Sequence, residues 1–152
     1  MEIERKFLVE RPPELGAASA ERIEQGYLAA EEDGGEVRVR RKGDDTVLTV
    51  KRGEGLARDE VEIRLDDDEF EALWPLTEGR RMVKTRHSLD HQGRTIEVNV
   101  YGGELEGLVV AEVEFESKGD AGAFEPPDWL GTEVTDDRHY ANRSLAERGA
   151  PG

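Results

Sequence analysis

Glu2-Ile3-Glu4-Arg5-Lys6 opens the chain with two carboxylates and an ammonium at alternate positions. In an extended strand successive side chains point to opposite faces, so Glu2, Glu4 and Lys6 share one face while Ile3 and Phe7 share the other. Glu112 and Glu114 form a second pair of this kind, Glu60 and Glu62 a third, and Glu97 adds a further carboxylate. Each pair holds its two carboxylates about 7 Å apart along a strand. Arg38, Arg40, Lys51, Lys84 and Arg86 fall in the matching phase of other segments, with Arg58 as a further basic candidate. Carboxylates so arranged suit Mg²⁺ or Mn²⁺, which take oxygen ligands and share them with substrate phosphates. Several arginines and lysines in a confined site suit a polyanion such as triphosphate. A lone pair of alternate glutamates is usually solvated surface. Three pairs facing a basic set are a stronger signal, because convergent carboxylates repel unless a cation sits among them.

Strands must carry these residues, and period-two alternation dominates the chain. It predicts strands over Glu2–Val9, Ile23–Ala30, Glu36–Arg41, Thr46–Arg52, Arg58–Leu65, Arg81–Leu89, Arg94–Tyr101 and Leu108–Glu116. Asp33-Gly34-Gly35, Lys42-Gly43-Asp44-Asp45, Gln92-Gly93 and Gly102-Gly103 supply turns. A short helical turn is expected in the Ala-rich stretch after Pro12-Pro13. Asp66 or Asp67 caps a helix carrying Phe70, Leu73 and Trp74, ended or kinked by Pro75. A second helix is expected from Asp120 and a third carrying Tyr140, Leu145 and Ala146.

The fold class is therefore mainly β with flanking helices (α+β), an eight-stranded antiparallel sheet closed into a barrel, in a single domain over residues 1–152. Two arrangements fit the pattern. In one, the apolar face (Val37, Val39, Val83, Ile96, Val98, Val113 and their neighbours) is an ordinary core and the charged face is solvated. In the other the charged face lines the interior, and the apolar face is covered from outside by helices. The segregation of Arg and Lys from Glu by strand argues for the second, but phase alone leaves both open.

Composition narrows the function. The chain carries 36 acidic against 21 basic residues and a formal net charge of −15. A globally basic nucleic-acid binder is excluded by that balance. The chain has no cysteine, which rules out disulfides, Cys-ligated zinc and thiol catalysis. No apolar run is long enough for a membrane span, and charged residues follow Met1 at once, so the expected location is the cytoplasm. His87 falls on the apolar phase and is read as packing. His91 sits in a turn, His139 is a weaker acid–base candidate, and Trp74 and Trp129 are read as anchors. Tyr27 shares phase with Gln25 and could point into the interior.

The opening Glu-x-Glu-x-Lys resembles the signature of the CYTH superfamily, the triphosphate tunnel metalloenzymes. The similarity continues through Gln25-Gly26-Tyr27-Leu28, Val37-Arg38-Val39-Arg40, Thr49-Val50-Lys51, Glu60-Val61-Glu62, Lys84-Thr85-Arg86, Glu97-Val98-Asn99-Val100, Ala111-Glu112-Val113-Glu114, Glu133-Val134-Thr135 and Arg138-His139-Tyr140-Ala141-Asn142. The resemblance implies an eight-stranded tunnel with a charged interior, and so selects the second arrangement. It implies a Mg²⁺- or Mn²⁺-dependent hydrolase of triphosphates, foremost an inorganic triphosphatase yielding pyrophosphate and phosphate. Adenylate cyclase, thiamine triphosphatase and a non-catalytic polyphosphate- or nucleotide-binding module are the alternatives. It implies metal ligands at Glu2, Glu4, Glu112 and Glu114, with Glu60 and Glu62 as further candidates. Phosphate contacts are implied at Lys6, Arg38, Arg40, Lys51, Arg58, Lys84, Arg86 and Arg138, and catalytic roles at Lys6 and Tyr27. The partner is a triphosphate or nucleoside triphosphate, with neither nucleic acid nor membrane, and the assembly a monomer or homodimer. Asn99 stands where such proteins often have Asp, and His139 where a second basic residue is expected.

Overall fold

The computed structural model describes residues 3–16, 19–31, 35–52 and 59–151. Eight strands alternate polar and apolar side chains as the sequence predicts: β1 (Ile3–Leu8), β2 (Ser19–Ala30), β3 (Glu36–Lys42), β4 (Asp45–Arg52), β5 (Asp59–Arg64), β6 (Arg81–His91), β7 (Arg94–Tyr101) and β8 (Val109–Phe115). They form one antiparallel sheet in the order β1-β8-β7-β6-β2-β3-β4-β5. Tight turns fix the local registers. Gln92 and Gly93 both adopt positive φ, 51° and 81°, between β6 and β7. That geometry matches the twist of a two-residue hairpin.

The helices are short. In α1 (Asp67–Leu73), Asp66 accepts from the Glu69 backbone while Glu69 reaches back to the Asp66 backbone, a reciprocal cap. Pro75 is accommodated in a 3₁₀ turn over Trp74–Thr77. Phe70 of α1 is buried, stacks on Trp74 at 5.3 Å and lies under the Arg41 guanidinium at 4.3 Å. α2 (Lys118–Ala123) starts at Lys118, earlier than expected, because Ser117 accepts the Asp120 backbone N–H. α3 (Asn142–Arg148) carries Leu145 and Ala146, but Tyr140 precedes it in a 3₁₀ turn over Arg138–Tyr140 capped by Asp137. Ala20, expected in a helical turn, instead pairs with His87 at the start of β2.

The two faces of the sheet build two cores. On one face Phe7, Val9, Ile96, Val98, Ala111, Val113 and Phe115 pack under Ala121 of α2 and under Phe124, Trp129 and Leu130. On the other, Tyr27, Met82, Tyr101 and Val110 pack with Leu8 against Leu145 and Ala146 of α3. Leu8 and Tyr27 belong to strands four places apart, about 19 Å in a flat sheet. Their packing around one short helix shows that the sheet curls, with the charged face concave.

Closure is where the expected barrel is met only in part. Among the described residues β1 and β5 are not paired with each other. The outer edge of β1 is already taken by a later segment. Leu8 N–H donates to Thr132 O at 2.8 Å, Gly131 N–H to Leu8 O at 2.7 Å and Val134 N–H to Lys6 O at 2.8 Å. A Cβ on residue 131 would lie 2.8 Å from Leu8 O, so this approach requires glycine. Arg5 pins the same segment, with Nε and Nη2 donating to the two Glu133 oxygens at 3.0 and 2.7 Å. A strand whose second edge is satisfied cannot also accept β5.

Candidate functional site

The registers explain why so many ionisable groups share the concave face. Lys6 lies opposite Glu112 and Glu4 opposite Glu114. Glu97 lies opposite Glu112, and Arg86 opposite Asn99. Tyr27 faces Arg38 and Gln25 faces Arg40. Directly opposed residues share a face, so Glu4, Lys6, Arg38, Arg40, Lys84, Arg86, Glu97, Asn99, Glu112 and Glu114 line the cup, and Val37, Val39, Val83, Val98 and Val113 point away.

An acidic wall runs along β1, β8 and β7. Glu112 is buried and Glu4 half-buried, and the two carboxyls lie close enough for the charge of one to act on the other. Burial first, and the Glu112 charge second, push the Glu4 carboxyl up to about 7; Lys6, with its Nζ 3.7 Å from Glu4, acts in the opposite direction. Two carboxyls that can be accommodated together only by holding back a proton are an arrangement a divalent cation would relieve. Glu114, at the exposed rim, and Glu97 line an open cavity of about 450 Å³. Among the described residues no three His, Asp or Glu converge closely enough to hold a cation by themselves. Mg²⁺ does not need such a cage, since one or two carboxylates with phosphate and water suffice.

The basic wall runs over β6, β2 and β3. Lys84 is buried, its Nζ 5.6 Å from the centre of the Tyr101 ring. Burial pushes its ammonium down to about 8, with Glu112 opposing and Arg86 and Lys6 reinforcing the shift. Arg86 spans to the acidic wall, Nε 3.0 Å from Glu97 and Nη2 3.7 Å from Glu112. Arg38 pairs with Glu36 at 3.0 Å. Arg40 Nε is buried without a hydrogen-bond partner, and Arg40, Lys42, Glu62 and Arg64 line a second open cavity of about 340 Å³. A guanidinium N–H buried without a partner is costly, and an anion would satisfy it. The Tyr27 hydroxyl accepts from the Gln25 amide at 2.8 Å. Burial, with the nearby Glu36 charge, pushes that hydroxyl up to about 12, so it stays protonated at neutral pH.

Below the charged zone lies an apolar floor that the sequence reading did not single out. Leu8, Met82, Tyr101 and Val110 stand two residues from Lys6, Lys84, Asn99 and Glu112 on the same strand faces, and Tyr27 joins them beside Arg38. The signal was present in the parity: Leu8 shares phase with Lys6, and Val110 with Glu112. What parity could not show is the plug, Leu145 and Ala146, which α3 brings from the far end of the chain.

The remaining candidates lie at the margin of this zone or outside it. Glu2 and Arg58 fall outside the described residues. Glu60 and Glu62 are exposed on β5, opposite Lys51 and Thr49, at the far edge of the sheet from Glu4 and Glu112. Arg138 is exposed in its turn, and His139 Nδ1 lies 2.7 Å from Asp137. His87 is half-buried on the apolar face, in keeping with packing.

Comparison with known proteins adds an independent line. The model of the CYTH domain matches residues 1–149. An inorganic triphosphatase of Nitrosomonas europaea is 47% identical over 146 residues, covering 95% of this chain and 96% of that protein. An inorganic triphosphatase of Acetivibrio thermocellus is 38% identical over 148 residues, covering 96% and 93%. A crystal structure of an inorganic triphosphatase superposes with a TM-score of 0.85 at 44% identity, covering 100% of this chain and 97% of the other. A protein of Bacillus halodurans described as a putative adenylate cyclase aligns with a TM-score of 0.54 at 17% identity over 80% of this chain and 84% of that one, a likeness of fold alone.

Proposed function

The chain belongs to the CYTH domain family, and from that membership and the charged cup we propose that it is an inorganic triphosphatase, cleaving triphosphate to pyrophosphate and phosphate. The observation that carries the reading is the meeting of the half-buried Glu4 carboxyl and the buried Glu112 carboxyl with a basic wall whose Arg40 Nε is buried and unpaired.

Lys6, Arg38, Arg40, Lys84 and Arg86 bind the phosphates, with Lys51 at the β4 side. The triphosphate spans several strands, so the clamp orients a linear polyanion better than a compact one. Most of the catalysis is positioning and electrostatic stabilisation, as phosphoryl transfer requires. Tyr27, kept protonated by burial, donates towards the departing phosphate, and Lys6 neutralises charge beside it.

The acidic wall fits Mg²⁺ or Mn²⁺. Its donors are all carboxylate oxygens, and the held-back proton on Glu4 marks a charge the wall lacks. Glu4, Glu112 and Glu114 would hold the ion, with Glu2 as a further ligand. When bound, it would supply charge neutralisation at phosphate and a more acidic water. Glu60 and Glu62 are left out of this ligand set. The β4–β5 ribbon joins the rest of the sheet through β3, and α1 packs against β4.

Initial rates for triphosphate, ATP and pyrophosphate with Mg²⁺ or Mn²⁺ test the proposal. Triphosphate is expected to give the highest kcat/KM and pyrophosphate the lowest, because a diphosphate cannot engage the whole clamp. Cyclic AMP formed from ATP faster than triphosphate is cleaved would move the assignment to a cyclase.

A further inference from the structure

Asn99 lies at the centre of the charged zone and is fully buried. Its side chain crosses three strands. The Arg86 Nε of β6 donates to Asn99 Oδ1 at 3.0 Å, and Asn99 Nδ2 donates to the Val110 carbonyl of β8 at 3.2 Å. The amide orientation follows from chemistry: a guanidinium can only donate and a carbonyl can only accept. Asparagine offers an acceptor to one and a donor to the other without ionising. Aspartate in its charged form would set a carboxylate oxygen against the Val110 carbonyl at the same short range, in a site shielded from water.

We propose that Asn99 is a positioning residue for the phosphate clamp, aiming the Arg86 guanidinium into the cup. The Nε–H is shared between Asn99 Oδ1 and Glu97, each 3.0 Å away, and these acceptors together fix the last side-chain torsions of Arg86. Its terminal nitrogens then lie between the carboxylate of Glu112, 3.7 Å from Nη2, and the space where phosphate binds. Because Asn99 is neutral, it orients the guanidinium without adding a third negative charge to those of Glu97 and Glu112. The proposal rests on the reading of the cup as a triphosphate site.

A double-mutant cycle tests it. Asn99→Ala, Arg86→Ala and the double variant are compared for KM and kcat with triphosphate. In parallel, inorganic triphosphate is titrated calorimetrically against each protein without turnover. In the parent background Asn99→Ala is expected to raise KM and the triphosphate Kd about tenfold, with a smaller change in kcat, the size of one charge-assisted contact. In the Arg86→Ala background the same substitution should change neither, because the group it aims is gone. Asn99→Asp should bind triphosphate more weakly than Asn99→Ala. Equal losses in both backgrounds, or tighter binding by Asn99→Asp than by Asn99→Ala, would overturn the positioning role while leaving the triphosphatase reading intact. An unaltered chain that neither binds nor cleaves triphosphate would overturn both.

Discussion

The two edges of the sheet are built to different standards. At the β1 edge the backbone is hydrogen-bonded on both sides, by β8 and by residues 131–134, and its apolar face lies under α2 and Phe124. At the β5 edge every residue from Asp59 to Arg64 is exposed, with Val61 and Ile63 at 57% and 51% exposure. The acidic wall stands on the first edge, while the open flank of the basic wall runs towards the second. The difference teaches where rigidity is needed. Carboxylates that repel one another have to be held by packing, since nothing local favours their meeting. Arginines and lysines can be recruited by the substrate itself, whose charge draws them together.

The comparison can be broken first on stability. Phe115→Ala, in the packed outer core, is expected to cost about 3–5 kcal/mol, as large-to-small changes of buried aromatics do. Ile63→Ala, on the bare edge, should stay within about 0.5 kcal/mol. Urea unfolding of both variants reads the contrast, and a comparable loss from Ile63→Ala would show that β5 is covered in solution.

On activity the same contrast is expected between carboxylates. Glu4→Gln should lower metal-dependent turnover by about 100-fold or more, the upper end of what outer ligand-shell partners already cost. Glu62→Gln, beside Arg40 on a strand exposed along its whole length, should change it by less than about threefold. Turnover at saturating Mn²⁺ separates them. A large loss from Glu62→Gln would bring β5 back into the metal site.

The smallest effect sharpens the account of the acidic wall. The Glu4 carboxyl in the fold is raised from 4.5 to about 7, so the fold disfavours its charged form. In chelator-treated protein this group costs nothing below about pH 4.5. Its contribution turns progressively unfavourable as pH rises towards about 7, because the unfolded chain releases the proton first. Glu4→Gln should therefore raise the Tm of the metal-free protein above neutral pH and leave it nearly unchanged near pH 4.5. A Tm difference that does not grow with pH would mean that Glu4 and Glu112 do not meet.

Much of the molecule was legible from local chemistry. Alternation assigned residues to two faces because strand geometry has a period of two, and the described members of each set do share a face. Gln92-Gly93 and Asp66 marked a turn and a helix start because their conformations are set within a few residues. Three things were decided only by tertiary structure. Period two cannot say which face is concave, since curl depends on what packs against each side. It cannot say which carboxylates meet: the Glu112/Glu114 and Glu60/Glu62 pairs look alike in sequence, yet β8 abuts β1 with its Glu4 while β5 lies at the opposite edge. Nor can it foresee that residues 131–134 occupy the β1 edge or that α3 plugs the floor, because both contacts join segments far apart in the sequence. Local sequence selects the conformation of each strand, but the free energy that brings distant strands and helices together belongs to surfaces that exist only once the chain has folded.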